Sequence, residues 1–451
     1  MRHTSRTAKF LALAAASSIV LTACGDDSTS TPAAGPSKDT AAEGACDTFT
    51  SAPPAEAGTP IKPPAGVSKS DNVLTVGTVL PRTGNLAFLG PPEFAGVQLA
   101  IKDINAAGGV LDKPVKYLEG DSGDAQQDVA NPTVDRLLAA GADVFIGAAS
   151  SGVTKTFLDK ATSAGAVVYS PANTSPDFTT IADKGLYFRT APSDVLQGRV
   201  LGETLVADGR ENVAILSLQD PYGEGLAQNI GLAVCKGGSN VPTKTVFYDP
   251  AASNFDAQIG QIKASEPDAV VLIGFEESSK IIQAMVAQQV GPKDVPLYLV
   301  DGNLGNALGE GLPAGLLEGT KGSLPGAEAT ADFRSKLLTV DKALKDYSYS
   351  GESYDAVITT ALAAIVAKSD AGEKIAVALP DVTRGGDKCT TFADCIKLLD
   401  GGKTDIDYDG VSGPIELSDV GDPTEATIGI YTYGADNKLT AEVDFQAGSL
   451  K

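Results

Sequence analysis

Histidine is almost missing from this 451-residue chain; the single one is His3. It falls in an N-terminal stretch that reads as a removable leader, so the mature protein would carry none. That excludes Ser-His-Asp and Cys-His nucleophilic sites and histidine metal ligands, while catalysis by carboxylates or lysine remains open. Tryptophan is absent altogether, which argues against a surface glycosidase, since sugar sites commonly use aromatic platforms. No pair of cysteines has the CxxC spacing of a zinc site. Basic residues are outnumbered, 35 Lys and Arg against 57 Asp and Glu, for a net charge of −22. Nucleic-acid binding needs clustered Lys and Arg, so no nucleic acid partner is expected. Neither a cofactor nor a metal is expected, and the chain is read as a non-enzyme. Past the leader, no apolar run approaches the ~20 residues of a membrane-spanning helix.

What is present begins with an address. Arg2, Arg6 and Lys9 precede the apolar stretch from Phe10 to Leu21, which has the length of a signal-peptide core. Leu21-Thr22-Ala23-Cys24-Gly25 follows and resembles a bacterial lipobox, in which Cys24 takes a diacylglycerol. Residues 1–23 are therefore read as a lipoprotein signal peptide. Residues 24–70, rich in Ser, Thr, Pro, Ala and Gly, offer little to offset ordering entropy and are read as a disordered tether. With Cys24 lipidated, four cysteines remain. CTTFADC closes a small loop, so Cys389 pairs with Cys395, contributing roughly 2–3 kcal/mol. Cys46 with Cys235 follows by elimination.

Roughly 380 residues remain, enough for two domains. Val73–Leu80, Val115–Leu118, Val144–Ala148 and Ala166–Tyr169 read as strands, and Phe94, Val97, Ile101 and Ile104 recur at helical spacing. A second helix is marked by Val129, Val134, Leu137 and Leu138. Beyond a joint near Thr190-Ala191-Pro192-Ser193 the alternation restarts, with strands at Val213–Leu218, Thr245–Tyr248, Ala269–Phe275 and Leu297–Val300. Helices at Leu226–Val234, Phe255–Ala264 and Ser278–Val290 lie between them. This order predicts an α/β fold of two doubly wound parallel-sheet lobes. In the tail, Ala327–Leu344 and Tyr354–Val366 read as helices. Val411–Leu417 and Thr427–Tyr433 read as antiparallel strands about a turn at Gly421-Asp422-Pro423. Returning segments make several hinge crossings. Lobe 1 is placed at 73–191 plus about 323–408, and lobe 2 at 192–322 plus about 409–451.

Open α/β sheets bind ligands beyond the carboxyl ends of their strands. There this chain has Ser150-Ser151-Gly152 opening a helix, Ala172-Asn173-Thr174, Asp220-Pro221-Tyr222 and Asp301-Gly302-Asn303. Serine at a helix start suits an anion, and Asp301 could accept from an ammonium with Tyr222 as a wall, together the chemistry of an amino acid. Each has a bland alternative: Ser151 as a helix cap, Asp220 and Asp301 as turn residues, Tyr222 as core. Gly147-Ala-Ala-Ser-Ser-Gly152 has P-loop glycine spacing but lacks the following Lys and Ser/Thr. Asn173-Thr174-Ser175 matches a glycosylation sequon by chance.

In order and spacing, LPRTGNLAFLG, AIKDINAAGGVLDKPV, FIGAASSGVT, YSPANTSPDFT, YFRTAPSDVLQG, SLQDPYGEG, GESYDAV and YDGVSGPIEL resemble the type I periplasmic binding proteins of the leucine/isoleucine/valine group. The resemblance covers about Val73 to Phe445. It implies the solute-binding lipoprotein of a branched-chain amino acid ABC importer, working as a monomer with a permease and an ATPase at the outer face of a bacterial membrane. It also implies that Ser151, beside Ser150, and Thr174 hold the ligand carboxylate. The Ala172 carbonyl and Asp301 take the ammonium, and Tyr222, Phe275 and Leu89 line the pocket. Where family members have Glu, an aromatic and Tyr, this chain has Asp301, Leu89 and Phe275. Urea or amides, an aromatic acid, or a sensor role with a receptor are the alternatives.

Overall fold

The structure, a computed structural model, describes residues 46–450 except 47, 48, 51, 56 and 242–244. The leader, Cys24 and the first part of the expected tether lie outside the described residues. In the first lobe, strands β1 (Thr75–Val79), β2 (Lys116–Leu118), β3 (Val144–Gly147), β4 (Val167–Ser170) and β5 (Tyr187–Arg189) form one sheet. Their order is β2-β1-β3-β4-β5, parallel throughout. The connections are α1 (Gly90–Ala106), α2 (Ala130–Ala139) and α3 (Ser151–Ser163). Apolar side chains pack on both sheet faces, Val76 and Ile146 in one cluster and Val79 and Phe145 in another. This is why these strands read as unbroken apolar runs.

The second lobe runs α4 (Asp194–Ala207), β6 (Val213–Leu218), α5 (Pro221–Lys236), β7 (Val246–Tyr248), α6 (Asp256–Ala264), β8 (Ala269–Ile273), α7 (Ser278–Ala287), β9 (Leu297–Leu299) and β10 (Lys321–Pro325). Then α8 (Ala331–Leu337), α9 (Ser350–Ala367) and α10 (Gly372–Ala378) return to the first lobe. There α9 packs along α1. The approach is close because Gly96 has no side chain; a Cβ would lie 2.2 Å from the Ser350 carbonyl oxygen. A small sheet of β11 (Asp387–Cys389), β12 (Ile406–Gly410) and β13 (Gly413–Pro414), with α11 (Phe392–Asp400), carries the Cys389–Cys395 disulfide. The chain ends in β14 (Glu425–Thr432) and β15 (Asp444–Ser449), which complete the second sheet in the order β15-β14-β10-β9-β8-β6-β7. From residue 73 onward, three described stretches cross between the lobes: 190–193, 326–330 and 415–424.

The helix expected over Ala327–Leu344 forms only as α8, and the lobe bounds expected near 323 and 409 shift to about 326 and 415, because β10 belongs to the second sheet and β13 pairs with β12. Two further expectations fail. Val411–Leu417 does not pair along Thr427–Tyr433. The turn forms, with Ser418 N–H donating to the Asp422 carbonyl (2.8 Å), but β13 pairs with β12, and β14 pairs antiparallel with β10 and β15. The unrecognised β10, with a glycine and a proline in KGSLP, takes the place that chain proximity favoured. The second failure is the tether. From Cys46 onward it lies against the body, through a Cys46–Cys235 disulfide and through Gly66 and Ser68 amides donating to Glu373. The disulfide was expected, but the amide bonds to Glu373 come from the backbone and leave no trace in composition.

Candidate functional site

The site forms where loops at the carboxyl ends of both sheets face each other. On the first lobe, Ser150 caps α3, its hydroxyl accepting from Val153 N–H (3.3 Å). Ser151 follows at the first position of the helix, where orphan amides and the helix dipole favour negative charge. Its Oγ accepts from Ser175 N–H (3.4 Å), which leaves the hydroxyl proton to donate. The neighbouring loop bearing Ala172 and Thr174 is held from behind. Asn173 Nδ2 donates to the carbonyls of Ala148 (3.0 Å) and Ala149 (2.8 Å), and Arg189 Nη1 to that of Ser175 (2.8 Å). Arg189 in turn makes a bidentate pair with Asp422 (2.7 and 2.9 Å), both side chains fully buried. Asn173 is fully buried, so it is no glycosylation acceptor.

On the second lobe, Asp301 follows β9 and is bound by three donors. These are Tyr222 OH (2.7 Å) and Gln197 Nε2 (2.8 Å) on one oxygen and Tyr349 OH (2.7 Å) on the other. Burial raises its pKa and the three donors offset part of the rise. Tyr222 stacks on Phe275 with ring centroids 5.6 Å apart. Leu86, Leu89 and Leu304 share one apolar cluster with these rings and with Ala172. The lobes touch on both sides of the site: Ser175 Oγ donates to the Pro221 carbonyl (2.9 Å), and Glu276 N–H to that of Asn85 (3.3 Å). The cleft is closed.

Ser151, Thr174, Tyr222, Phe275 and Asp301 are thus joined by a chain of contacts, Ala172 and Leu89 share the apolar cluster with the rings, and the Ser150 hydroxyl serves as a helix cap. Three others that belong with them were not recognised. Asp194, at the first turn of α4, is fully buried with no hydrogen-bond partner on either carboxylate oxygen. Burial and the charge of Asp301 push its pKa well up. The Thr174 hydroxyl is close enough to relieve it in part, yet Thr174 Oγ1 also completes no hydrogen bond. Gln197, one turn along α4, has Nε2 fixed by Asp301 and by Ser323 (3.1 Å to Oγ), so its Oε1 is left unpartnered. Tyr349 precedes α9 and holds the second Asp301 oxygen. Buried polar atoms are ordinarily satisfied. Here Thr174 Oγ1, both Asp194 oxygens and Gln197 Oε1 lack a donor among the described residues.

Residues 73–383 match the family described as periplasmic binding protein. The chain belongs to that family. This periplasmic binding protein is 28% identical over 321 residues to the Leu/Ile/Val-binding protein homolog 1 of Brucella suis, covering 68% of this chain and 82% of that one. To the Leu/Ile/Val-binding protein homolog 3 of Brucella melitensis it is 27% identical over 216 residues, 46% of this chain and 56% of the relative, little more than half its length. In fold it is similar to the branched-chain amino acid transporter substrate binding protein LivJ from Streptococcus pneumoniae, solved with isoleucine. That likeness has a TM-score of 0.68 at 20% identity and covers 83% of this chain and all of the other. The sequence signal for Asp194 was Ser193-Asp194 behind Pro192, which reads equally as a helix start; for Tyr349 there was none.

Proposed function

We propose that this periplasmic binding protein is the extracytoplasmic solute-binding component of an ABC importer and captures branched-chain amino acids without chemistry. The observation that carries this is the set of buried acceptors on Asp194, Thr174 and Gln197, set beside Ser151 at a helix start and an apolar wall. A free amino acid supplies what each part lacks. Its carboxylate meets the Ser151 hydroxyl and the first-turn amides of α3. Its ammonium meets Asp194, Thr174 Oγ1 and the Ala172 carbonyl, while Asp301 holds Tyr222, Gln197 and Tyr349 in place. Its aliphatic side chain packs against Leu89, Phe275 and Tyr222.

In this reading, residues 73–189 with 331–414 and residues 194–325 with 425–450 move as two bodies, and ligand selects the closed state. The second segments are shifted from the expected 323–408 and 409–451 because β10 joins the second sheet and β13 the first lobe. The monomer is delivered to a permease driven by an ATPase. Removal of residues 1–23 and lipidation of Cys24 keep it at the outer membrane face; a diacyl anchor is stable where a single chain is marginal. Among the described residues no helix is long and apolar enough to cross a membrane.

A thermal-shift panel tests the proposal on refolded protein that retains the segment through Cys46. Ligand at 100 times its Kd stabilises by ~2.7 kcal/mol. Leucine, isoleucine and valine should raise the melting temperature. Shifts with urea, acetamide or benzoate alone would refute the ligand assignment.

A further inference from the structure

We infer that the segment from Cys46 to Val73 is a fourth connection between the lobes, a strap that limits how far the cleft opens and thereby sets ligand affinity. This rests on the two-lobed capture reading above.

Its first fastening is on α5. Cys46 is bonded to Cys235 with Cα atoms 5.7 Å apart, the Phe49 ring lies against Gly231, and Thr50 accepts from Gln228 Nε2 (3.3 Å to its carbonyl). The same helix presents Tyr222 to the site from its first turn. Next, Ala55 is buried and its N–H donates to the carbonyl of Leu450 (3.1 Å), just past β15 of the second sheet. By Gly58 the strap is on the other side of the hinge. It lies so tightly on the Thr179 carbonyl and on Val420, within the third crossing, that a Cβ at Gly58 would come within 2.2 Å of that oxygen. The second fastening is on the first lobe. Gly66 N–H donates to Glu373 Oε1 (2.9 Å), Ser68 N–H to Oε2 (3.3 Å), and Val73 N–H to Asp370 Oδ2 (2.8 Å).

The chain from Ala55 to Gly58 reaches at most ~11 Å when fully extended. That short span joins the lobes beside the hinge, so wide opening must break the Ala55–Leu450 bond or pull one fastening loose. The disulfide keeps the segment from peeling off α5 when that happens. A restrained opening leaves more of the ligand-free protein near the binding-competent form, and apparent affinity scales with that fraction.

Two variants release the strap at opposite ends: Cys46→Ser with Cys235→Ser, and Glu373→Ala. Leucine affinity is read by calorimetry, and the radius of gyration by X-ray scattering with and without leucine. Each variant should weaken leucine about fivefold or more, at the low end of conformational coupling. Each should also enlarge the ligand-free radius and leave the bound one unchanged. Combining them should add nothing, since one loose end suffices, whereas independent effects would be additive. Unchanged affinity and ligand-free radius in both variants, or additive losses, would overturn the strap. Wild-type protein that binds no leucine would sink the functional reading alone, because the ligand-free radius still decides the strap.

Discussion

Replacing Asp194 with Asn should weaken leucine binding while making the ligand-free protein more stable. In the closed cleft Asp194 is buried, feels the charge of Asp301 and has no donor on either oxygen among the described residues. Breaking a buried charge pair by removing one partner costs ~3–5 kcal/mol, and each ~1.4 kcal/mol is tenfold in affinity. Leucine should therefore bind about a hundredfold to a few thousandfold more weakly. The stability effect has the opposite sign. The folded carboxyl has a raised pKa, so folding takes up a proton. Ligand-free stability then rises as pH falls from neutral through the raised range toward the unfolded value near ~3.9. The Asn variant loses this dependence and melts higher at pH 7. Binding runs the other way, because the ammonium favours the ionised form and leucine expels the proton. Wild-type affinity should fall on acidification, and the variant should respond less. With no tryptophan to report binding, isothermal calorimetry in two buffers of different ionisation heat measures both affinity and proton release. A variant that binds leucine within about threefold of wild type, with the same proton release, would refute the assignment of Asp194.

Ser151→Ala with Thr174→Ala removes two groups facing the ligand's polar end. Hydrogen bonds to charged groups are worth ~1.5–3 kcal/mol each, so losing two should drop leucine affinity by about a hundredfold or more with an unchanged circular dichroism spectrum; retained affinity would remove the polar site. Asp422→Asn leaves Arg189 buried without its counter-charge and should cost ~3–5 kcal/mol in urea unfolding. A loss under ~1 kcal/mol would mean that this pair does not hold the Thr174 loop.

The sheets were legible because their strands are buried on both faces. Val213–Leu218 stands in the structure with the bounds its apolar run predicts, and the alternation of strand and helix gave the parallel order. The hidden parts share a physical cause: each depends on a partner far away in the chain. β10 is a poor strand by composition and is made one by β9 and β14 on either side. Segment 46–72 looks disordered because its contacts are mostly backbone amides meeting Glu373 and Asp370, some 300 residues away. Of the site, Ser151, Thr174, Tyr222 and Asp301 were visible as polar residues at strand ends. Asp194 was hidden because an aspartate at a helix start is ordinarily a cap, and only burial shows that its oxygens are left over. Tyr349 reaches Asp301 only because α9 returns to the first lobe.

If Asp194 receives the ammonium as proposed, its leftover oxygens also act as a filter. A 2-keto or 2-hydroxy acid shares a branched side chain and carboxylate with its amino acid, and would fit the apolar wall and Ser151 equally well. It brings no cation to draw the proton off Asp194, so closing the cleft around it leaves that carboxyl protonated beside Asp301 and without the ionic partner that an ammonium supplies. Discrimination by a buried group that only the correct molecule can satisfy reaches far beyond what a hydrophobic pocket gives for one methylene. Cells that excrete or take up deaminated branched-chain acids could do so alongside this protein without those acids competing for it.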